Sequence, residues 1–334
     1  MTSYNKYGCT FLIPGYNNPL SLKRALDSIK LVSYRPLTII VVDDSSDIEL
    51  ITHEQIAEIK KCGIDFDFYR FNNNVGSHLN FLRGMRKVKT KYLVLFPHDD
   101  SVLDPNYVSA GINRMSENNC YLFVSNSSDN INYSLRISTS MESLIDGKDY
   151  RSKLFSSYMS NHPSSILDFD ELKKRSYFDV LLDENDSEML GLRGDDGHIG
   201  NFLLSLDSKV WISGNVTTLK GVEKNGFSSS EYWRKNKCNV MFCVYLKLFL
   251  HLVEVKHYKA SLHVVRVMIF RYPIRYWHSE TIKHFSSVLS VVLMLLSWIR
   301  GKYVSLRKNT KAVYDGISCL IKQYLRRKAL DKTL

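Results

Sequence analysis

The run Lys91-Tyr92-Leu93-Val94-Leu95-Phe96-Pro97-His98-Asp99-Asp100 confines this chain to a narrow set of folds. An apolar stretch that reads as a buried strand stops abruptly at two adjacent carboxylates. Strand interiors bury well, but paired acids enter an apolar interior only when neutralised, so the run marks where the chain leaves its core and meets a cation. That outlines a metal and phosphate site at a strand end.

Through residues 1–125, strand and helix signals alternate at the spacing of βαβ units. Strands are expected over residues 8–14, 37–42, 66–71, 92–96 and 120–125, and helices over 19–31, 48–61, 76–88 and from Asn106 onward. Within the first helix Leu22, Ala25, Leu26 and Ile29 fall on one face. The order implies an α/β fold with a largely parallel central sheet and helices on both faces, where ligands bind outside the carboxyl ends of the strands. Those ends carry Gly15-Tyr16-Asn17, Asp43-Asp44, Asn72-Asn73-Asn74 and His98-Asp99-Asp100. Residues 126–190 have weaker periodicity and are expected to be irregular, with short strands or helices. Further on, helices are expected over 240–256, 260–269, 281–300 and 311–328. A boundary near Ser228-Ser229-Ser230 divides a domain of residues 1–230 from a C-terminal helical region of residues 231–334.

A chain of 334 residues with 44% hydrophobic composition can build one large α/β domain plus an appendage. Its charge is uneven. Residues 231–334 hold 20 Lys+Arg against 5 Asp+Glu, a net +15, and the remainder carries −4 of the overall +11. Such a basic tail suits an anionic partner, a membrane surface or a nucleic acid. The six cysteines lack C-x-x-C spacing and read as reduced thiols in a cytosolic setting. The N-terminus shows no secretory pattern, so Asn126-Ser127-Ser128 and Asn132-Tyr133-Ser134 read as chance matches to the glycosylation pattern.

Four segments in order resemble the signatures of family 2 glycosyltransferases with a GT-A fold: residues 11–17, residues 39–46, Asn74-Val75-Gly76 with Asn80, and Phe96-Pro97-His98-Asp99-Asp100. The resemblance covers residues 7–225. It implies an enzyme that moves one sugar from a nucleotide-diphosphate donor to a glycan acceptor, with Mn2+ or Mg2+ stabilising the departing diphosphate. It implies metal contact by Asp100, with Asp99 on ribose or metal, and Asp44 on the nucleotide base beside Asp43. His98 stands where the motif often carries another acid. Pro14, Tyr16 and Asn17 would line the nucleotide, Asn74 and Gly76 would open a helix toward the phosphates, and Asn80 and Arg83 lie one and two turns inside. Blander readings exist for each. Asp99-Asp100 could cap the next helix, Asp43-Asp44 could form an Asx-turn, and Arg83 could sit on a solvated face.

The segment Arg193-Gly194-Asp195-Asp196-Gly197-His198 resembles the family's Glu-Asp segment at the acceptor side. It implies Asp196 as the base of an inverting transfer and Asp195 as its neighbour, with helix capping as the alternative role. No Gln-x-x-Arg-Trp motif is present, which argues against processive synthesis of the cellulose type. In the tail, residues 285–299 are short of the ~20 apolar residues of a membrane span and suit a buried or interfacial helix. With Tyr272, Tyr276, Trp277 and Trp298 around it, the tail is expected to sit at the inner face of the cytoplasmic membrane, where a lipid-linked acceptor would fit the charge. The implied setting is O-antigen or capsule assembly. Two other readings fit the sequence less well. A sugar nucleotidyltransferase would want a Gly-rich basic loop after the first strand, which Pro14-Gly15-Tyr16-Asn17-Asn18 lacks, and a nucleic-acid module lacks any recognition motif, so no nucleic-acid partner is expected.

Overall fold

The computed structural model describes residues 5–129, 143–146, 164–175 and 209–221. All of them fall in the first of two units into which the chain divides, Met1–Ser187 with Leu192–Arg234. Asp195, Asp196, Asn132, the expected domain boundary and the basic tail lie outside the described residues.

Strands β1 (Asn5–Gly15), β2 (Leu37–Asp43), β3 (Ile64–Arg70) and β4 (Thr90–Leu95) lie side by side in the order β3-β2-β1-β4, and every pairing among them is parallel. Their apolar runs are nearly continuous because both faces of β1, β2 and β4 are covered. On one face Phe11, Ile13, Ile39, Val41, Val94 and Phe96 join a core with Leu22, Ala25, Leu26 and Ile29 of α1 (Pro19–Lys30), Ile59 of α2 (His53–Lys61), and Tyr107, Val108, Ile112 and Met115 of α4 (Tyr107–Asn118). The rings of Phe96 and Tyr107 meet Phe11 edge-on at 5.4 and 6.4 Å. The intervening residues Leu12, Ile40, Val42, Leu93 and Leu95 are also buried, with α3 (Ser77–Met85) packed on β1 and β2.

The far half of the sheet is mixed. Strand β8 (Ser165–Asp168) runs antiparallel between β4 and β6 (Leu122–Asp129), and α5 (Phe169–Lys174) follows it onto β4. Strand β9 (Lys209–Lys220) pairs parallel with β6 and antiparallel with β5 (Ser101–Val102) and β7 (Ser143–Asp146). The longest ladders are the parallel ones, so the expected α/β architecture holds, with helices on both faces.

Boundaries moved where local chemistry competed with periodicity. The second helix starts at His53 rather than at residue 48, because Thr52 forms a capping box with Gln55: Thr52 N donates to Gln55 Oε1 at 2.8 Å and Gln55 N to Thr52 Oγ1 at 3.3 Å. Strand β6 continues to Asp129, into the stretch expected to be irregular. Its end is polar, Asn126-Ser127-Ser128-Asp129, yet β9 supplies a ladder for it. Asn126 is fully buried and donates from Nδ2 to Gly214 O at 2.7 Å, which fits the reading of its glycosylation pattern as chance. Cys9, Cys62 and Cys120 are free thiols, and burial pushes Cys9 far above its ordinary value and Cys120 up to about 11, so neither buried thiol serves as a nucleophile at neutral pH.

Gly84 is where α3 touches the sheet. A Cβ there would lie 2.4 Å from Leu12 Cδ1 and 3.1 Å from Val42 Cγ1. Gly84→Ala gains about 1 kcal/mol of helix propensity but overpacks a closed core at a cost of about 1–3 kcal/mol. A net loss of stability in urea unfolding is expected; an unchanged or higher midpoint would show that α3 can lift from β1 without penalty.

Candidate functional site

The strand order turns at β1: the chain moves outward through β2 and β3, then returns to place β4 on the other side of β1. Connections leaving β1 and β4 thus diverge, and it is outside the carboxyl ends at such a point that sheets of this kind bind ligands. Strands β2 and β4 both flank β1, so their ends lie about 10 Å apart. The sequence-expected residues Pro14, Tyr16, Asn17, Asp43, Asp44, Asn74, Gly76, Asp99 and Asp100 all belong to strand ends or loops on this edge.

Three carboxylates here are buried, Asp43 at 1%, Asp44 at 3% and Asp100 at 1% exposure, and each is held by backbone N–H groups. Asp43 Oδ1 accepts from Ser46 N at 2.9 Å and Ser46 Oγ at 2.5 Å. Its Oδ2 lies 3.5 Å from Arg70 Nε, and Arg70 also donates to the Ser46 carbonyl. Arg70 and Ser46 were missed from sequence; the available signal was a lone cation ending β3 beside the acids ending β2, with a hydroxyl three residues after Asp43. Asp43 thus folds its own loop back on itself, through an amide three residues on rather than the two of an Asx-turn.

Asp44 does something different. Its two oxygens accept separately from Val75 N at 2.8 Å and Gly76 N at 2.7 Å, the amides at the mouth of α3. Burial pushes its carboxyl above the ordinary 3.8, against the opposing pull of those two amides and of the Arg83 charge. Asn74 Oδ1 shares the Gly76 amide at 3.1 Å. Gly76 caps α3 with φ at 85°, a conformation that favours glycine. Asn80, 1% exposed, donates from Nδ2 to Val42 O at 2.8 Å and so locks α3 to β2.

The loops are clipped to one another. Asn17, at φ 50°, exchanges hydrogen bonds with Asp47 (Nδ2 to Oδ2 2.9 Å, Asp47 N to Oδ1 2.8 Å) and donates its N–H to Ser46 Oγ. Tyr16 stands beside it, 45% exposed. His98 Nδ1 lies 3.1 Å from Pro14 O; a carbonyl only accepts, so Nδ1 carries the proton and joins the end of β4 to the end of β1. Arg83 acts on Asp44 by its charge alone. Its guanidinium lies 4.8 Å over the Phe71 ring.

Asp100 reaches across the sheet. Its Oδ1 accepts from Gly221 N at 2.8 Å, the residue just past β9. Gly221 was also missed from sequence. A Cβ on it would stand 2.0 Å from Asp99 O, so glycine alone permits β9 to abut this turn. Among the described residues no three His, Cys, Asp or Glu side chains gather to hold a metal. Adjacent Asp99 and Asp100 still form a donor set that suits a hard divalent cation, which commonly takes one or two carboxylates and completes its shell with substrate phosphate and water.

Residues 10–171 match the family model described as Glycosyl transferase family 2. An uncharacterized glycosyltransferase of Rickettsia prowazekii is 33% identical over 108 residues, which cover 32% of each chain, so the match spans about a third of that relative's length. Among solved structures, TarS 1–349 of S. aureus in complex with UDP-GlcNAc superposes at a TM-score of 0.58, with 13% identity over 95% of this chain and 92% of that one. The mannosyltransferase PcManGT of Pyrobaculum calidifontis, in complex with GDP-Man and Mn2+, gives 0.52, with 12% identity over 98% and 87%. These likenesses establish a GT-A-like fold.

The double contact of Asp44 makes the start of α3 depend on one side chain. Asp44→Ala leaves two backbone N–H groups without their acceptors, at a cost of about 1–3 kcal/mol for each that stays buried. Amide hydrogen exchange at Val75 and Gly76 is expected to quicken at least tenfold; unchanged protection would show that water substitutes for the carboxylate.

Proposed function

We propose that this chain is a metal-dependent, inverting glycosyltransferase that moves one sugar from a nucleoside diphosphate donor to a glycan acceptor. The observation that carries the reading is the convergence, at the edge where the strand order turns, of Asp43 and Asp44, the amide-rich mouth of α3, and the Asp99-Asp100 turn braced by Gly221. The match of residues 10–171 to the family 2 model and neighbours whose structures hold UDP-GlcNAc or GDP-Man support it.

In this reading Tyr16, exposed beside the clipped Asn17 turn, covers the nucleotide base. Asp43 and Asp44 face the nucleoside, directly or through the loops they hold. A divalent cation on Asp99 and Asp100 supplies charge neutralisation for the diphosphate. Asp196 takes the proton of the acceptor hydroxyl, with Asp195 beside it. Attack from the face opposite the leaving group inverts the anomeric centre. Residues 231–334 form a basic region that holds the enzyme at the inner face of the cytoplasmic membrane, near a lipid-linked acceptor in surface polysaccharide assembly, of O-antigen or capsule type.

The test is release of nucleoside diphosphate from UDP-GlcNAc, GDP-mannose and related donors with Mn2+. Asp100→Ala is expected to abolish it, and Asp196→Asn to slow transfer about 10²–10⁴-fold while donor binding persists. Gly221→Ala must shift the Asp99-Asp100 turn, and misplacing these groups by even 1 Å costs about 10²-fold in rate. Turnover indifferent to Asp100→Ala would defeat the proposal, and retention of anomeric configuration by NMR would defeat the inverting step.

A further inference from the structure

Between the residues that follow β3 and the C-terminal end of α3 lies a cavity of about 390 Å³, lined by Phe71, Asn72, Asn73, Arg83, Arg86 and Lys87. None of the acids at the strand ends lines it. Arg83 sits in the last turn of α3 and Arg86 and Lys87 follow its end, so three cations line this wall within five residues. The like charges of Arg83 and Lys87 repel unless something negative comes between them. The Arg83 guanidinium rests 4.8 Å over the Phe71 ring and the Lys87 ammonium 5.2 Å over the Tyr69 ring. Rings orient these cations without neutralising them, and among the described residues no carboxylate forms an ion pair with Arg83 or Lys87.

We propose that this cavity is a second phosphate-binding site, separate from the donor rim, that takes a phosphomonoester or diphosphate group. The planar Arg83 guanidinium, the Lys87 ammonium and two side-chain amides present donors to oxygens arranged around phosphorus. The volume stands near the lower end of small-molecule sites, enough for a phosphorylated head but small for a whole nucleotide sugar. A merely solvated basic face would need neither the concavity nor the aromatic floor. The site does not depend on the glycosyltransferase reading, although its wall, α3, is the helix whose first turn Asp44 holds.

The ligand could be a soluble diphosphate or the headgroup of an anionic lipid. Calorimetric titration of pyrophosphate into the full chain, in buffer with chelator and no divalent metal, is expected to show one site. Arg86→Gln with Lys87→Gln should weaken it at least tenfold and leave donor turnover unchanged. Lys87→Glu alone, with its melting temperature checked against the wild type, separates charge from folding. Sedimentation with phosphatidic acid vesicles that pyrophosphate and Lys87→Glu both diminish would assign the lipid headgroup. Sedimentation indifferent to both, with pyrophosphate binding retained, would assign the soluble diphosphate. Pyrophosphate affinity unchanged by these variants, or absent at millimolar concentration, would overturn the site.

Discussion

A carboxylate enters a protein interior only if donors replace the water it gives up, and the functional edge of this molecule is built around that requirement. Desolvating a charged carboxylate costs several kcal/mol, while each hydrogen bond to a charged group returns about 1.5–3. Two such bonds therefore come close to balance and one falls short. Asp44, with two backbone donors, still has its carboxyl pushed upward by burial. The requirement dictates local architecture: Ser46 folds back onto Asp43, the 74–76 loop wraps Asp44, and the end of β9 comes to Asp100.

Helix α3 ties these parts together. Asp44 holds its first turn, Asn80 bonds it to β2, and Gly84 lets it lie against Leu12. Its inner face is thereby fixed against the sheet that ends in the donor rim. Its last turn brings Arg83, and the residues just past it Arg86 and Lys87, to the second cavity.

The irregularity of β9 is as consequential as its pairing. Where β6 advances two residues, from Val124 to Asn126, β9 advances four, from Ile212 to Val216, and the next step of one on β6 takes two on β9. Bulges bend and re-aim a strand. Asn126 fills the first with a bond to Gly214 O, and the Thr217 carbonyl receives the amides of Leu103 and Asp104, past β5. The far half of the sheet thus arrives at the Asp99-Asp100 turn from a sequence distance no local signal could bridge. Buried Ser125, Ser127, Thr217 and Thr218 make this region polar inside, which is why its sequence reads as loop.

Local signals determined much of this protein by themselves. Continuous apolar runs of β-branched and aromatic residues ending in acids marked β1, β2 and β4 and the edge where they finish, because a strand buried on both faces tolerates no polar interruption. A 3.6-residue period placed α1, and Gly76 marked the start of α3. What only the tertiary structure decided was which partner each polar group would find. Arg70 on Asp43, the amides of Val75 and Gly76 on Asp44, and Gly221 against Asp99 are contacts between residues 27 to 122 positions apart. The stacking of Arg83 over Phe71 was equally hidden. Hydrophobic periodicity states that a residue is buried, whereas the donor that makes burial of a charge tolerable comes from whatever segment the fold brings beside it.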